Sequence, residues 1–276
     1  MKTLKWMPVL ATVVLAASSC VPGVEKPTVL VLYYSQTENT KAVAEEIANR
    51  LGADIEEIHA VEPYDGTYQE TIARCLQERE QGILPEIEPI NAKLADYDII
   101  FLGYPVWFGT CAPPVLTLLN NVDLGHKTIY PFCTFGSGGL DSSVRDIIEK
   151  QPDALVLAGY GVRAARMDAM PAEVEQFLKS THLLKGEYIL LEAFPEARAV
   201  TEEEAAIFDA AVGDYPMMHA QAKTVASRTI PEGTEYMFTA VDLPREGGPQ
   251  MPPSGELKVY VKVEEGLAPV FTQVVR

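Results

Sequence analysis

The sequence predicts a doubly wound α/β domain of five parallel strands followed by a smaller α+β domain, and three observations carry that prediction. Short, continuously apolar runs alternate with stretches of helical period over residues 28–184, as expected of strands buried on both faces. Polar, aromatic or glycine-rich loops follow three of those runs. Beyond residue 186 the texture changes to β-rich alternation separated by turn clusters.

In chain order, residues 29–34 (VLVLYY) read as a central strand, and residues 39–51 as a helix with Val43, Ile47 and Leu51 at helical spacing, closed by Gly52. A short strand at 55–58, a helix at 68–81 and a Pro-punctuated connection to Ala95 lead to the buried strand 98–103 (DIIFLG). Helix 113–119, strand 128–134, helix 142–150 and strand 154–158 follow, and Pro171 opens a helix to about Thr181. Five strands separated by helices give right-handed crossovers and a doubly wound sheet. The second domain, residues 185–276, reads as a strand at 188–191, a helix at 202–212 and antiparallel strands at 236–241, 257–263 and 269–274.

With 276 residues, 47% of them hydrophobic, the chain can bury a sizeable core. Its net charge of −17 repels nucleic acid and anionic membranes; the acidic excess serves solubility or attracts a basic partner. Lys2 and Lys5 precede an apolar stretch, residues 7–17, and small residues lead into Cys20. That pattern is a signal peptide, too short for a membrane span. Its ending, Ala17-Ser18-Ser19-Cys20, resembles a bacterial lipobox, in which Cys20 becomes the lipidated N-terminus. Residues 1–20 are thus the expected signal segment and 21–27 a tether, placing the domains outside the cytoplasm on a lipid anchor; ordinary cleavage near Ala17 is the alternative. The other cysteines, Cys75, Cys111 and Cys133, have no metal-ligand or CxxC spacing. His59, His126, His182 and His219 are likewise scattered and read as surface or structural residues.

Chemistry concentrates in the three loops. Residues 35–40 (SQTENT) lie between the first strand and first helix, where free N–H groups and the positive end of the helix dipole favour a phosphate. Ser35, Thr37, Asn39 and Thr40 add side-chain donors. The loop is neither GxGxxG nor GxxxxGK[ST]. In residues 103–110 (GYPVWFGT), Tyr104, Trp107 and Phe108 occupy a strand-to-helix turn, where covering a planar ring would satisfy them. In residues 134–139 (TFGSGG), Gly136, Gly138 and Gly139 let backbone N–H groups approach a ligand closely. In a doubly wound sheet all three loops fall at the carboxyl edge, where ligands bind.

Together, VLVLYYSQTENTK, GYPVWFGT and PFCTFGSGGLDSSVRDI resemble the flavodoxin-like family, in particular its bacterial branch with a GYPxWWGT loop; the resemblance covers residues 28–184. It implies strand order 2-1-3-4-5 and noncovalent flavin mononucleotide (FMN). The phosphate would lie on Ser35, Gln36, Thr37, Asn39 and Thr40. The ring system would lie between Tyr104, Pro105, Val106, Trp107, Phe108 and Gly109 on one side and Thr134, Phe135, Gly136, Gly138 and Gly139 on the other. Two positions depart from the family pattern: Glu38 stands where glycine is common, and Phe108 replaces a second tryptophan.

The resemblance implies electron transfer by bound FMN, with a redox protein or quinone as partner and no catalytic acid, base or nucleophile from the chain. The many carboxylates should lower the flavin potential. An NAD(P)H- or quinone-dependent reductase and a flavin-free binding lipoprotein remain as alternatives. In the second domain, residues 224–238 are similar to the strand-turn of cystatin-like domains, with Gly233-Thr234-Glu235-Tyr236 in place of Gly-Thr-Asn-Tyr. That likeness implies a helix wrapped by an antiparallel sheet, without an inhibitor function; an unrelated binding or dimerisation module is equally open.

Overall fold

A computed structural model of the protein describes residues 26–213, 215, 218–243 and 255–275; the expected signal segment with Cys20 and nearly all of the tether lie outside them. The first domain runs β1 (Val29–Tyr33), α1 (Asn39–Leu51), β2 (Asp54–Glu57), α2 (Tyr68–Gln81), β3 (Ile99–Trp107), β4 (Thr110–Cys111), α3 (Pro113–Asn121), β5 (Thr128–Phe135), α4 (Leu140–Lys150), β6 (Leu155–Val156), β7 (Tyr160–Arg163) and α5 (Met170–Ser180). The parallel sheet has the spatial order β2-β1-β3-β5, with β6 and β7 sharing the edge beside β5. Counting that edge as one position, this is the expected order 2-1-3-4-5. The expected single strand at 154–158 is split, and Pro131, which has no N–H to offer, lies opposite the break.

Strand alternation explains why the apolar runs are continuous. Leu30 and Leu32 of β1 join Ile100, Leu102 and Ile129 on the face covered by Val115 and Leu118 of α3 and Ile147 of α4. Val31 and Tyr33 point the other way, with Phe101 and Phe132, toward Val43 and Ile47 of α1 and Val174 and Leu178 of α5. Both faces are therefore buried. α2 starts where Thr67 and Glu70 form a reciprocal capping box. The three cysteines are free and buried; burial pushes the Cys75 thiol up to about 11 and those of Cys111 and Cys133 above their ordinary value, so all remain neutral.

The second unit comprises β8 (Arg198–Ala199), α6 (Glu202–Val212), β9 (Ala220–Ile230), β10 (Gly233–Asp242), β11 (Leu257–Glu264) and β12 (Val270–Val275). Its strands form an antiparallel sheet in sequence order, and Phe208 and Val212 of α6 pack with Val225, Phe238, Val259 and Phe271 from the sheet. Two expectations are corrected. Residues 188–191 are not a strand; Ile189 and Leu190 are exposed in irregular chain. β9 was not foreseen as a full strand, because most of its residues are polar or small and only Val225, Ala226 and Ile230 are buried.

An acid-sensitive cap holds α6. Arg198 donates to both oxygens of Glu204 at 2.8 and 2.6 Å, and Thr201 completes a capping box with the same carboxylate. The Arg198 bonds, opposed by desolvation and helped by Thr201, hold the Glu204 carboxyl down at about 2, against 4.5 for the free group. The folded value lies below the unfolded one, so this contribution is full above about pH 4.5 and is lost as pH falls toward about 2. Glu204→Gln is expected to lower protection of β9 and β10 amides at neutral pH and to flatten its decline across that window. Amide exchange followed through a pH series reads both effects, and an unchanged profile would contradict the assignment.

Candidate functional site

The loops after β1, β3 and β5 leave the same edge of the sheet and are tied to one another. In the first loop, α1 begins after Glu38, a left-handed residue (φ 62°) that gives the helix no side-chain cap. Where α2 and α6 close their first turns with Thr-Glu boxes, α1 has no such box: among its first N–H groups only that of Lys41 meets a side chain, and those of Asn39 and Thr40 do not. Ser35, Thr37 and Asn39 stand around this end; Ser35 Oγ accepts from Lys41 N at 3.3 Å, and Asn39 Nδ2 donates to Thr37 Oγ1 at 3.3 Å. Lys41 is paired with Glu38 at 2.7 Å, and that bond raises its ammonium pKa.

Two residues of this loop have other tasks. Thr40 was expected as a side-chain donor to a phosphate, but it is 1% exposed and its hydroxyl shares a 2.8 Å bond with that of Thr134. It braces the first loop against the third. Gln36 Nε2 donates to Tyr64 O at 2.8 Å and Thr71 Oγ1 at 2.9 Å, fastening the loop to the segment that enters α2.

The second loop is a hairpin. β3 pairs with β4 through Val106–Cys111 and Trp107–Thr110, leaving Phe108 and Gly109 as a two-residue turn with φ of 52° and 79°. Positive φ at both positions marks a type I′ turn, natural for Gly109 and strained for Phe108. Phe108 stays exposed, with the Arg79 guanidinium 5.2 Å from its ring centroid. Trp107 is half-buried, meeting the rings of Tyr34 (5.9 Å, 87°) and Tyr64 (5.2 Å, 68°) edge to face. Tyr64 is itself held: its hydroxyl donates to Glu78 at 2.6 Å and Arg74 lies 3.8 Å over its ring.

Tyr104 is a correction. Its side chain is fully buried on the α3–α4 side of the sheet and its hydroxyl donates to Ser143 Oγ at 3.2 Å, so it covers no ligand. Alternation along β3 sends it into the core, whereas Pro105, Val106 and Trp107 are partly exposed.

The third loop also divides. Thr134 and Phe135 are buried in β5, so their side chains are structural, while Gly136 is exposed. Gly139 has φ 114°, and a Cβ there would come 2.5 Å from Val106 Cγ1; glycine thus serves both the turn and the approach to the second loop. α4 pins the hairpin: Ser142 Oγ donates to Gly109 O at 2.6 Å, and Asp146 accepts from Thr110 Oγ1 and, at 3.4 Å, from Cys111 N. Arg163, at the end of β7, donates from Nε to Gly136 O at 2.8 Å.

Sequence reasoning gave no role to Tyr64 and Arg163, which lie outside the three motifs, or to Asp146, which lies inside the third without a signal of its own. Ser142 lay in the serine-rich start of α4 and was legible only as a helix beginning. The result is an anion-favouring helix end, a fixed indole and a glycine loop on one edge, an arrangement suited to a planar ring bearing a phosphate.

The flavodoxin family model matches residues 28–176. Among solved structures the chain is similar to a protein from Bacteroides eggerthii assigned as a flavoprotein (25% identity, TM-score 0.48, covering 56% of this chain and 97% of that one). It is also similar to a Lactobacillus acidophilus flavoprotein in complex with FMN (27%, 0.44, 49% and 93%), and to a Bacteroides uniformis protein assigned as a flavoprotein (23%, 0.49, 56% and 99%). No curated protein matches the chain. The family match takes in more than half of the sequence and all three loops, and this chain belongs to the flavodoxin family.

Proposed function

We propose that the protein binds FMN noncovalently at this edge and acts in electron transfer, or as a reductase, outside the cytoplasm on a lipid anchor. The observation that carries the reading is the meeting, in a chain of this family, of the α1 end, where Asn39 and Thr40 N–H have no side-chain cap, with the fixed Trp107 and the glycine loop. The leading amides of α1 with Ser35, Thr37 and Asn39 would hold the phosphate; Trp107, Phe108 and the 136–139 backbone would hold the ring and exclude water from it. Bound FMN supplies one- or two-electron chemistry that amino-acid side chains lack. Thr40, Ser142 and Asp146 keep the three loops in register, and Gln36 fastens the first to the start of α2. The test is an FMN titration of residues 21–276 followed by flavin fluorescence, and a protein that leaves the fluorescence unchanged at micromolar concentration refutes the reading. Oxidation of NAD(P)H by the holoprotein alone would identify a reductase; reduction only through a protein or quinone partner would identify a carrier.

The anchor rests on the lipobox-like Ala17-Ser18-Ser19-Cys20 followed by a short tether. Cys20→Ser is expected to move the protein from the membrane to the soluble fraction, and retention on the membrane would count against lipidation.

Glu38 is the residue of the site least suited to an anion. Its left-handed backbone is of the kind glycine adopts freely, at a cost to other residues of about 1 kcal/mol, and its carboxylate occupies Lys41. Glu38→Gly is expected to stabilise the apoprotein and to tighten FMN about tenfold, a change of about 1.4 kcal/mol. Glu38→Gln keeps the strain and removes the charge together with its Lys41 ion pair, so it should improve FMN binding without improving apoprotein stability. Riboflavin, which has no phosphate, should be insensitive to the Gln variant. Equal gains for riboflavin and FMN would show that the charge does not face the phosphate.

A further inference from the structure

The second domain sits on the third loop. β12 is the edge strand of its sheet, and an edge strand carries unpaired N–H and C=O groups. Two of these groups are used at the loop: Val274 N donates to Ser137 O at 2.7 Å, and Phe271 O accepts from Arg163 Nη1 at 2.8 Å. The same Arg163 donates from Nε to Gly136 O, so one guanidinium joins the loop to β12. Its Cζ lies 4.1 Å from the Phe271 ring centroid and 5.0 Å from that of Tyr215. A register shift in β12, opposite Tyr260 and Val261, marks the irregularity that re-aims the strand here. The fit is close enough that a Cβ on Gly138 would lie 2.0 Å from Val274 O, and the nearest atoms it would meet all belong to Val274.

We infer that the second domain works as an intramolecular clamp, with Arg163 as its positioning residue, that fixes the direction of two loop peptides in the flavin site. This inference rests on the FMN reading above. A trans peptide carries its C=O and the following N–H on opposite sides, and the described chain has no cis bonds. With the carbonyls of Gly136 and Ser137 held toward Arg163 and β12, the N–H groups of Ser137 and Gly138 are turned away from the second domain. A glycine-rich loop left to itself would lose much backbone entropy on ordering around a ligand. The clamp removes that cost before the ligand arrives. It also presents donors to the ring system, which stabilise added negative charge and raise the reduction potential. The glycine at 138 is thus explained by β12, and the second domain acquires a function within the chain.

The experiment uses the two-domain protein, residues 21–276, as wild type and as Arg163→Met, Arg163→Lys, Gly138→Ala and Arg198→Met. Arg198 lies on β8, at the opposite edge of the second sheet from β12, and controls for general weakening of that domain. FMN affinity, the midpoint potential and exchange of the Val274 amide, which donates to Ser137 O, are measured for each. Arg163→Met and Gly138→Ala are expected to bind FMN at least tenfold more weakly, with a lower potential and faster exchange of the Val274 amide; Arg198→Met should bind as wild type does. Arg163→Lys keeps the charge without the fork that bridges two carbonyls, and should resemble Met. Full rescue by Lys would make Arg163 a charge and not a clamp, and wild-type behaviour of both Arg163→Met and Gly138→Ala would overturn the inference. A wild-type protein that takes no FMN removes the underlying reading and this inference together, whereas wild-type binding with unaltered variants removes the inference alone.

Discussion

Phe132→Ala is expected to lower the unfolding free energy by about 3–5 kcal/mol, the usual range for truncating a fully buried phenyl ring. Phe132 is 0% exposed and packs with Val31, Tyr33, Phe101 and Val162 on the α1–α5 face of the sheet. Its ring occupies the space a side chain would need at the neighbouring strand position, since a Cβ on Gly103 would come 2.1 Å from Phe132 Cζ. Gly103 has no side chain with which to fill the vacated volume, so the cavity should collapse poorly and the cost should fall in the upper part of the range. The pair makes a sharper test than either residue alone. Gly103→Ala should be destabilising in the wild-type background and nearly neutral with Phe132→Ala, giving a coupling of at least about 1 kcal/mol in a double-mutant cycle. Urea unfolding of the four proteins measures it, and additive effects would contradict the packing described.

Trp107→Ala is expected to weaken FMN binding by about 10- to 100-fold, corresponding to the roughly 1–3 kcal/mol associated with stacking one planar base on an aromatic side chain. The indole is set in place before any ligand arrives, because Tyr34 and Tyr64 meet it edge to face and Tyr64 is anchored by Glu78 and Arg74. Trp107→Phe should keep most of the affinity. Tyr64→Ala should lose part of it without touching the ligand, by freeing the indole. Flavin fluorescence titration separates the three, and a Trp107→Ala protein that binds FMN as tightly as wild type would exclude this hairpin from the ring site.

Much of this architecture was readable in the chain. The runs at 29–34, 98–103 and 128–134 are apolar on both alternating faces because helices cover the sheet on both sides, as expected of central parallel strands. The start of α2 carries Thr67 three residues before Glu70, a local signal that the structure realises as a capping box. Less was legible where burial depended on a distant partner. Residues 188–191 have strand composition but no strand beside them, while β9 has little apolar patterning and is a strand because β10 pairs along its length.

The site shows the same division at the level of single residues. Loop position followed from strand order, but the direction each side chain takes did not: Tyr104 and Phe135 turn into the core, Thr40 and Thr134 bond to each other, and Trp107 faces the edge. Glycine at 138 was visible as a need for close approach, yet the group that approaches is β12, more than a hundred residues further along the chain. By itself the sequence determined the parallel sheet, its helices and the three loops at one edge, because strand period, helix caps and chain order are local properties. Only the tertiary structure decided which loop residues brace and which face outward, and that a second sheet closes on the third loop, because those outcomes depend on contacts such as Arg163 with Phe271 that no local pattern encodes.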